Sequence, residues 1–343
     1  MIKAVLILNT KKNKIFNFLI SKISRNYDLE TFYLDDMKNI TKNNIINEIN
    51  NYILSNDVQY SFFQGCYISL IDFHFIKKIK TRKKILYVSD DFDVHEVNAI
   101  TSQACDLVLT GCPVSVFKYE EKKINCFYLP LEGDNKILKN YNLKKDIDLL
   151  FFGAIKADRK VYLENLQKEN YNLKLIGTDN SNKVSDEELA KFISRSKIVL
   201  NFSQTGNKNK FYSHKTIPFN YYQFKGRVLM AGLCETLCIS EISPGGNIIF
   251  NNEFPTFSNY KEMLENINYF LKNPEALKVK TKQFYNKCMF YSDDNYMPNV
   301  SKKIDLSENK NEIKFNIPFW YSYIFFKKSV QLYFRMIRGK VFK

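Results

Sequence analysis

A glycine and several cations at the end of an apolar run form the first group of residues that could do chemistry. The run ends at Gly153, and Lys156 and Arg159 are among the cations that follow as a helical pattern begins. Glycine permits close approach of the backbone to a ligand. A helix N-terminus beside cations favours an anion, and a pyrophosphate fits this arrangement. An ordinary solvated helix start is the alternative.

A second candidate is the segment FKGRVLMAGLCETLCISEISPGG, from Phe224 to Gly246. Its pattern predicts a helix over Tyr221–Leu233, a strand over Thr236–Ser240 and a loop after the strand. The guanidinium of Arg227 suits phosphate, and successive backbone N–H groups of the loop could form an anion nest. A surface turn with a helix-capping arginine is the alternative. The residues of this segment that we expect at a phosphate site are Lys225, Arg227, Ser243, Gly245 and Gly246.

The acidic stretch SDDFDVHE, from Ser89 to Glu96, is the candidate for acid–base chemistry. It follows a predicted strand, where the carboxyl end of a parallel sheet presents its functional side chains. Asp90 or Asp91 could accept a proton from an attacking hydroxyl, with His95 assisting or binding. The alternative is acidic capping of the next helix, for which Asp93 is a natural N-cap.

Short apolar strands alternate with helical patterns along most of the chain, which predicts βαβ units and parallel sheets. We expect two doubly wound, Rossmann-like α/β domains that face a cleft. The predicted strands are Ile2–Leu8, Leu29–Leu34, Val58–Phe63, Ile85–Val88, Leu107–Thr110, Asn125–Leu129, Ile147–Phe152, Leu173–Ile176, Ile198–Phe202 and Thr236–Ser240. The predicted divisions are an N-terminal domain (1–131), a linker (132–145), a C-terminal domain (146–290) and an extension (291–343).

The extension has its own character. Its run IPFWYSYIFF, over Ile317–Phe326, contains the single tryptophan of the chain. Aromatic residues beside cations suit a bilayer interface and anionic lipid. A helix that packs back across the N-terminal domain is the other interpretation, and both can hold. The cations that follow the run are Lys327, Lys328, Arg335, Arg338, Lys340 and Lys343.

Composition narrows the class of protein. The 343 residues carry a net charge of +15, which attracts phosphate-bearing partners or reflects a lysine-rich bias. Seven cysteines without a CxxC pair predict buried, reduced thiols in a cytosolic protein rather than a zinc site. The N-terminal apolar run is too short for a signal peptide, and no apolar window predicts a transmembrane helix. We therefore expect a cytoplasmic protein, peripheral at a membrane if the extension binds lipid.

Four segments occur in an order that resembles the GT-B glycosyltransferases, in particular the CgeB-like group within the glycosyl transferases group 1 families. The resemblance covers roughly Ile85 to Cys288 and is best from Asp146 onward. Each motif is weak alone, whereas their order and spacing together are fairly specific. The four segments are IDLLFFGAIKADRKVYLENL, SRSKIVLNFS, KGRVLMAGLCETLCISEISPGG and YKEMLENINYFLKNPEALK.

The resemblance implies a nucleotide-sugar donor bound by the C-terminal domain and an acceptor bound by the N-terminal domain. It also implies catalysis without a metal or other cofactor, because cations and helix N-termini stabilise the leaving diphosphate. His214 and Lys215, in a polar loop, could touch the donor phosphates. The chain departs from the pattern at Met230, where many relatives have a ribose-binding glutamate, and at Glu235, where they have glycine. Glu235 or Glu241 could replace the missing glutamate.

The expected function is transfer of a sugar to a glycan, polysaccharide, lipopolysaccharide or glycolipid acceptor in cell-surface glycan synthesis. A protein of the same fold that binds sugar nucleotides or glycans without turnover is one alternative. A metal-dependent GT-A-type transferase, with Asp91 and Asp93 as a D-x-D metal site, is another. Nucleic-acid binding rests on net charge alone, because the cations are scattered and no nucleic-acid motif is present.

Overall fold

The structure is a computed structural model whose residues form two compact units. One unit contains Met1–Leu129 and Asn299–Lys343, and the other contains Pro130–Lys208 and Pro218–Pro298. The ranges that the structure describes are 1–10, 16–37, 41–65, 69–89, 91–155, 158–177, 184–204, 222–251, 253–308 and 316–341.

The first unit is built on a six-stranded parallel sheet in the order β2-β1-β3-β4-β5-β6. Its central strands are buried along their length, as expected for a parallel sheet with helices on both faces. The strands are β1 (Ile2–Leu8), β2 (Tyr27–Tyr33), β3 (Tyr60–Gln64), β4 (Lys83–Val88), β5 (Leu107–Thr110) and β6 (Cys126–Tyr128). The helices are α1 (Phe16–Ser24), α2 (Lys42–Ser55), α3 (Phe73–Lys78), α4 (Asp91–Thr101) and α5 (Pro113–Glu121), with a 3-10 turn at Ser102–Ala104.

The second unit repeats the architecture with a five-stranded parallel sheet in the order β11-β10-β9-β7-β8. Its strands are β7 (Ile147–Phe152), β8 (Leu173–Ile176), β9 (Ser196–Asn201), β10 (Leu237–Glu241) and β11 (Thr256–Phe257). Its helices are α6 (Asp158–Leu166), α7 (Asp186–Ser194), α8 (Arg227–Leu233), α9 (Pro244–Phe250), α10 (Tyr260–Lys272) and α11 (Pro274–Phe290).

The predicted fold class, two doubly wound α/β sheets, is confirmed. Strands with a continuous apolar run bounded by polar residues have the predicted bounds, as Ile2–Leu8 and Ile147–Phe152 show. A capping box begins α7 at Ser185. The Ser185 hydroxyl accepts from the Glu188 N–H at 3.2 Å, and the Glu188 carboxylate accepts from the Ser185 N–H at 2.9 Å.

The helix predicted over Tyr221–Leu233 is shorter in the structure, where α8 begins at Arg227. Before the helix, Tyr222 forms an antiparallel bridge with Gln204, which commits the chain to an extended conformation. Gly226 is the N-cap. A Cβ placed on Gly226 would lie 2.0 Å from the Glu132 carboxyl carbon, so a side chain at this position would displace the Glu132 carboxylate.

Two helices follow the second sheet. Helix α12 (Asp293–Leu306) contains Pro298, where the chain passes from one unit to the other. Helix α13 (Phe319–Val341) belongs to the first unit, and its buried residues Tyr321 and Phe325 pack against Val97 and Ile100 of α4. The Tyr321 hydroxyl accepts a hydrogen bond from the Phe73 N–H at 2.9 Å.

Candidate functional site

The carboxyl ends of β7, β9 and β10 lie side by side in the second unit and position the candidate anion site. Strand β7 ends at Gly153, whose N–H donates to the Ile176 carbonyl at 2.9 Å. Gly153 has φ of 120°, a conformation that side-chain-bearing residues rarely adopt. The backbone conformation at this position therefore favours glycine, and so does the space that Arg227 occupies beside it.

Arg227, the first residue of α8, binds across two of these strand ends. Its Nε donates to the Phe152 carbonyl at 2.7 Å, and its Nη1 donates to Asn201 Oδ1 at 2.6 Å. The guanidinium carbon lies 4.8 Å from the centroid of the Phe151 ring, within cation–π range. A Cβ on Gly153 would be 2.6 Å from Arg227 Nη2, so the glycine makes room for the guanidinium. The Nη2 amine has no hydrogen bond to any described residue.

Arg159, on α6, brings a second guanidinium to the same turn. The residue is 8% exposed, and its Nη2 donates to the Gln204 carbonyl at 2.7 Å. Its Nη1 lies 3.4 Å from the carbonyl of Ala154, next to Gly153. Two arginines therefore hold the backbone on either side of one strand-to-helix turn.

Burial and mutual repulsion act on both guanidinium groups. Burial, followed by the charge of Arg159, lowers the pKa of Arg227 to about 10. Burial likewise lowers the pKa of Arg159, which the Glu241 carboxylate partly opposes. Both groups stay charged at neutral pH. A bound anion would stabilise these two positive charges, which are held near each other and partly removed from water.

Glu241 organises the loop after β9. Its Oε2 accepts from the backbone N–H groups of Ser203 and Gln204, each at 2.8 Å. Gln204 in turn supplies the carbonyl that Arg159 contacts. The structure thus gives Glu241 a role in shaping the site through the backbone, which differs from the predicted ribose contact.

The Ser-Pro-Gly-Gly loop after β10 begins α9, with Ser243 as the N-cap. The Ser243 hydroxyl accepts from the Gly246 N–H at 3.1 Å, so this donor of the predicted nest has a partner within the protein. A Cβ on Gly246 would lie 2.9 Å from that hydroxyl and 3.2 Å from the Phe254 ring. Close packing accounts for Gly246, and Gly245 is buried beside it.

Several predicted positions fall elsewhere. The Lys225 ammonium donates to the Gln223 side chain beside the start of α8. Glu235 lies before β10, at the amino end of that strand, and its carboxylate accepts from Asn140 at 3.0 Å. This position, at the opposite end of the strand from Glu241, does not favour Glu235 as the replacement for the missing glutamate. The predicted residues that lie outside the described part of the chain are Asp90, Lys156, His214 and Lys215.

Glu132 is a site residue that the sequence did not indicate. Its carboxylate packs against Gly226, directly before Arg227. Its charge favours the protonated form of Arg227 and so raises that pKa slightly. In the sequence, Glu132 is one acidic residue in a polar stretch interpreted as a linker. Only the fold, which places this stretch beside Gly226, identifies Glu132 as a residue of the site.

The acidic stretch of the first unit forms a separate cluster at the carboxyl end of β4. Helix α4 begins at Asp91, two residues before the predicted cap Asp93. The Asp91 side chain is fully buried, and its carboxylate accepts from His95 Nδ1 at 2.7 Å, Asn98 Nδ2 at 2.8 Å and the Tyr119 hydroxyl at 2.8 Å. Burial opposes ionisation, yet the hydrogen bond from His95 and its neighbours hold the pKa of Asp91 below its usual value.

His95 occupies the outer side of this cluster. Its side chain is 10% exposed, and its ring centroid lies 4.7 Å from that of Tyr119 in an edge-to-face contact. Its Nε2 is buried and has no hydrogen-bond partner among the described residues. A buried polar atom without a hydrogen-bond partner costs about 1–3 kcal/mol of folding stability, and a bound ligand or an ordered water removes this cost.

The metal-site alternative places Asp91 and Asp93 on one metal ion. The described residues contain no group of three or more histidine, cysteine, aspartate or glutamate side chains arranged to hold a metal ion. The Asp91 carboxylate is surrounded by hydrogen-bond donors of the protein, and the Asp93 side chain lies outside the described part.

The sequence of the second unit matches a family of known proteins. Residues 141–289 match the family model described as Glycosyl transferase-like. The match spans the β7–Gly153 turn, both arginines, helices α8 to α10 and all but the last residue of α11. It confirms the resemblance to glycosyltransferases that the sequence indicates. No curated protein matches the sequence.

Solved structures confirm the GT-B architecture. A glycosyltransferase from Rickettsia africae ESF-5 superposes with a TM-score of 0.60 at 11% identity, over 91% of this chain and 100% of that one. Anabaena Alr3699/HepE in complex with UDP gives 0.60 at 9% identity, over 89% and 100%. Sucrose-phosphate synthase from Thermosynechococcus elongatus gives 0.56 at 10% identity, over 88% and 98%. At these identities the likeness concerns the fold.

Proposed function

We propose that this protein is a glycosyltransferase that binds a nucleotide-sugar donor in its second unit. The observation that carries the proposal is the pair of partly desolvated guanidinium groups, Arg159 and Arg227, on either side of the Gly153 turn. The family match over residues 141–289 supports the same conclusion. HepE, which shares the fold, was crystallised with UDP and glucose, and a uridine diphosphate sugar is therefore the first donor to test.

The two arginines suit the leaving group of sugar transfer. As the bond between the sugar and the diphosphate breaks, negative charge grows on the phosphate oxygens, and preorganised cations stabilise that charge. Arg227 is held at Nε and Nη1 by the protein, which leaves its Nη2 edge directed past Gly153. We propose that these side chains replace a metal ion in charge stabilisation, so that no metal cofactor is needed.

The acceptor is proposed to be a cell-surface glycan, polysaccharide or glycolipid, handled in the cytoplasm at a membrane surface. Helix α13 supports the membrane part of this proposal, because Phe319 and Phe326 are 83% and 67% exposed on it and Lys327 is exposed beside them. Exposed aromatic and cationic side chains together suit an anionic bilayer interface. None of the described helices is long and apolar enough to cross a membrane.

A donor-binding protein without turnover is the second candidate, and Met230 favours it. The residue is buried in α8, at the position where many glycosyltransferases of this class are expected to place a ribose-binding glutamate. A protein that lacks this contact could retain the diphosphate site alone. Release of UDP from a UDP-sugar by purified protein would exclude this candidate.

The donor site is tested by UDP binding to Arg227→Ala and Arg159→Ala variants, measured by calorimetry. Loss of a charge-assisted hydrogen bond costs about 1.5–3 kcal/mol, so we expect affinity to fall by about 10- to 100-fold. Arg195→Ala is the matched control, because Arg195 pairs with Asp146 at the exposed amino end of β9. Thermal denaturation without ligand checks folding. Unchanged UDP affinity in both site variants would contradict the proposed site.

A further inference from the structure

A pocket lies at the amino ends of the strands of the second sheet, away from the proposed donor site. Lys145 precedes β7, Lys197 is the second residue of β9 and Glu235 precedes β10, and all three line the pocket. Its volume of about 410 Å³ is in the range of pockets that bind small molecules. The Gly153 turn follows the opposite end of β7, whose six residues span about 17–20 Å. The pocket is therefore separate from the candidate anion site.

Helix α11 supplies the apolar side of this pocket. Pro274 and Leu277, in its first turn, contribute carbon surface. Lys278 and Lys282 also line the pocket from this helix, and their spacing of four residues places them on one face. The methylene stems of lysines extend apolar surface while their ammonium groups stay in water. The pocket thus combines a wall of carbon atoms with positively charged groups.

Lys145 contributes a positive charge on the sheet side of the pocket. It is an exposed residue overall, but its ammonium reaches two buried residues and donates to the Ser196 carbonyl at 2.7 Å and the Thr236 hydroxyl at 3.1 Å. A third bond, at 3.3 Å, goes to the Glu235 carbonyl. All three acceptors are neutral, and burial lowers the pKa of Lys145 to about 8. An anion nearby would stabilise the charge of this ammonium.

The two cations of α11 also lack an ion pair. The Lys278 ammonium has no hydrogen bond or salt bridge to any described residue, and the Lys282 ammonium lies 4.5 Å from the centroid of the Tyr285 ring. Like charges four residues apart on a helix repel each other. Lys197, by contrast, is paired with Asp148 at 2.7 Å. Among the described residues that line the pocket, three cations without an ion pair therefore accompany one carboxylate.

Glu235, which carries that carboxylate, connects two sides of the pocket. Its carbonyl accepts from Lys145, and its carboxylate accepts from the Asn140 side chain at 3.0 Å. Glu235 has φ of 50°, in the left-handed region that favours glycine after a helix. Such a conformation costs stability and is found most often at positions that shape a binding site. Its two bonds hold the polar side of the pocket in place.

We propose that this pocket is a second ligand site, which binds a small phosphate monoester whose carbon body packs against Pro274 and Leu277. The inference goes beyond the proposed sugar transfer and does not depend on it. The phosphate group would contact the ammonium groups of Lys278 and Lys282. Lys145, whose three protons are already donated to the protein, would add charge without a direct bond. The first turn of α11 adds the positive end of the helix dipole.

The charge of the pocket favours a phosphate monoester over a carboxylate. A phosphate monoester carries a charge of about −1.5 to −2 at neutral pH and has three strong acceptor oxygens. It can therefore accept from the ammonium groups of Lys278 and Lys282 at the same time. A carboxylate has a single charge and two oxygens, so three cations stabilise it less.

Phenyl phosphate, which has a phosphate group on a compact apolar ring, is the probe for this site. We expect it to bind, in calorimetry, to protein already saturated with UDP. Lys278→Ala/Lys282→Ala should lower its affinity by about tenfold or more and leave UDP affinity unchanged. Lys168→Ala/Lys261→Ala is the matched control, because it removes the same charge from two exposed lysines outside the pocket. No binding of phenyl phosphate, or equal affinity in the two double variants, would overturn the proposal.

Leu277→Ser separates the apolar contact from the charge. We expect about three- to tenfold weaker binding of phenyl phosphate and unchanged binding of inorganic phosphate, which has no carbon body. Benzoate has the same ring with a carboxylate and should bind more weakly than phenyl phosphate. Tighter binding of benzoate would overturn the assignment of a phosphate. If UDP does not bind, the proposed donor site fails, whereas titration of phenyl phosphate into the double variants without UDP still decides this proposal.

Discussion

At the scale of single residues, a few positions of the second unit tolerate only one residue type, because the side chain of another residue occupies the neighbouring space. Gly153 and Arg227 are 74 positions apart in the chain, yet the guanidinium occupies the space in which a Cβ on Gly153 would lie. Arg227 in turn bonds to Phe152 and Asn201 from two strands. The type and position of both residues are visible in the sequence, whereas their mutual contact is not.

Gly153→Ala is expected to weaken UDP binding through Arg227. The substitution places a Cβ 2.6 Å from Arg227 Nη2 in a backbone conformation with φ of 120°, which costs about 1–3 kcal/mol of stability. We expect a lower melting temperature and about tenfold weaker UDP affinity. The double variant Gly153→Ala/Arg227→Ala is the informative comparison. If it loses more affinity than Arg227→Ala alone, the glycine acts on the ligand by another route.

Residue roles show what the sequence could and could not predict. Arg159 and Arg227 were predicted as phosphate contacts because arginines beside glycines at strand ends suit anions, and the structure brings them to one turn. The part played by Glu132 was not predictable, because it depends on a packing contact with Gly226. For His95 and Asp91, the spacing of four residues was visible, whereas the burial of the Asp91 carboxylate and its hydrogen bond with His95 depend on the fold.

At the scale of elements, helix α8 connects the anion site to the core of the second unit. Its first residue is Arg227, and Val228 to Leu233 are all buried. Gly232 faces α11, where a Cβ would lie 2.1 Å from the Cys288 Sγ and 2.6 Å from its Cβ. The glycine therefore allows the two helices to approach closely.

Gly232→Ala is expected to lower the free energy of unfolding by about 1–3 kcal/mol. The added methyl group would overpack against the Sγ and Cβ of Cys288, and that side chain is fully buried. The compensating variant Gly232→Ala/Cys288→Ala removes the sulfur that the new methyl group meets. We expect the double variant to be more stable than Gly232→Ala in thermal denaturation. Equal or lower stability of the double variant would show that the clash with the Cys288 sulfur is not the cause.

Strand positions were more predictable than helix starts, for a physical reason. A buried parallel strand needs an uninterrupted apolar run, and that requirement is local to the sequence. The start of α8 depends instead on a bridge between Tyr222 and Gln204 and on the contact of Gly226 with Glu132. These partners are distant in the chain, so the apolar periodicity that suggested a longer helix could not include them.

At the scale of the whole molecule, the net charge and the exposed face of α13 both suit the anionic membrane surface proposed above as a partner. The chain has a net charge of +15, and the exposed residues Phe319, Tyr323 and Phe326 recur at the spacing of one helix face. Tyr321 and Phe325, on another face, are buried in the first unit. The helix is therefore fixed to the protein on one side and offers aromatic side chains on the other.

Replacing the exposed aromatic face should abolish membrane binding. We expect the wild-type protein to sediment with vesicles containing phosphatidylglycerol and to be released by high salt, because screening weakens attraction to the anionic surface. Phe319→Ser/Tyr323→Ser/Phe326→Ser should stay in solution. The control Leu54→Ser/Phe117→Ser/Val279→Ser removes exposed apolar side chains elsewhere. Equal loss of binding in the two triple variants would contradict a specific role for α13.

The division of the chain between the two units has a consequence for biosynthesis. The first unit is assembled from Met1–Leu129 and from Asn299–Lys343, with the second unit encoded between them. Val97 and Ile100 are covered by Tyr321 and Phe325, which leave the ribosome more than two hundred residues later. A nascent chain therefore carries an incomplete first unit with an open apolar surface while the second unit is still being translated. A chain that terminated before α13 would leave that surface permanently uncovered.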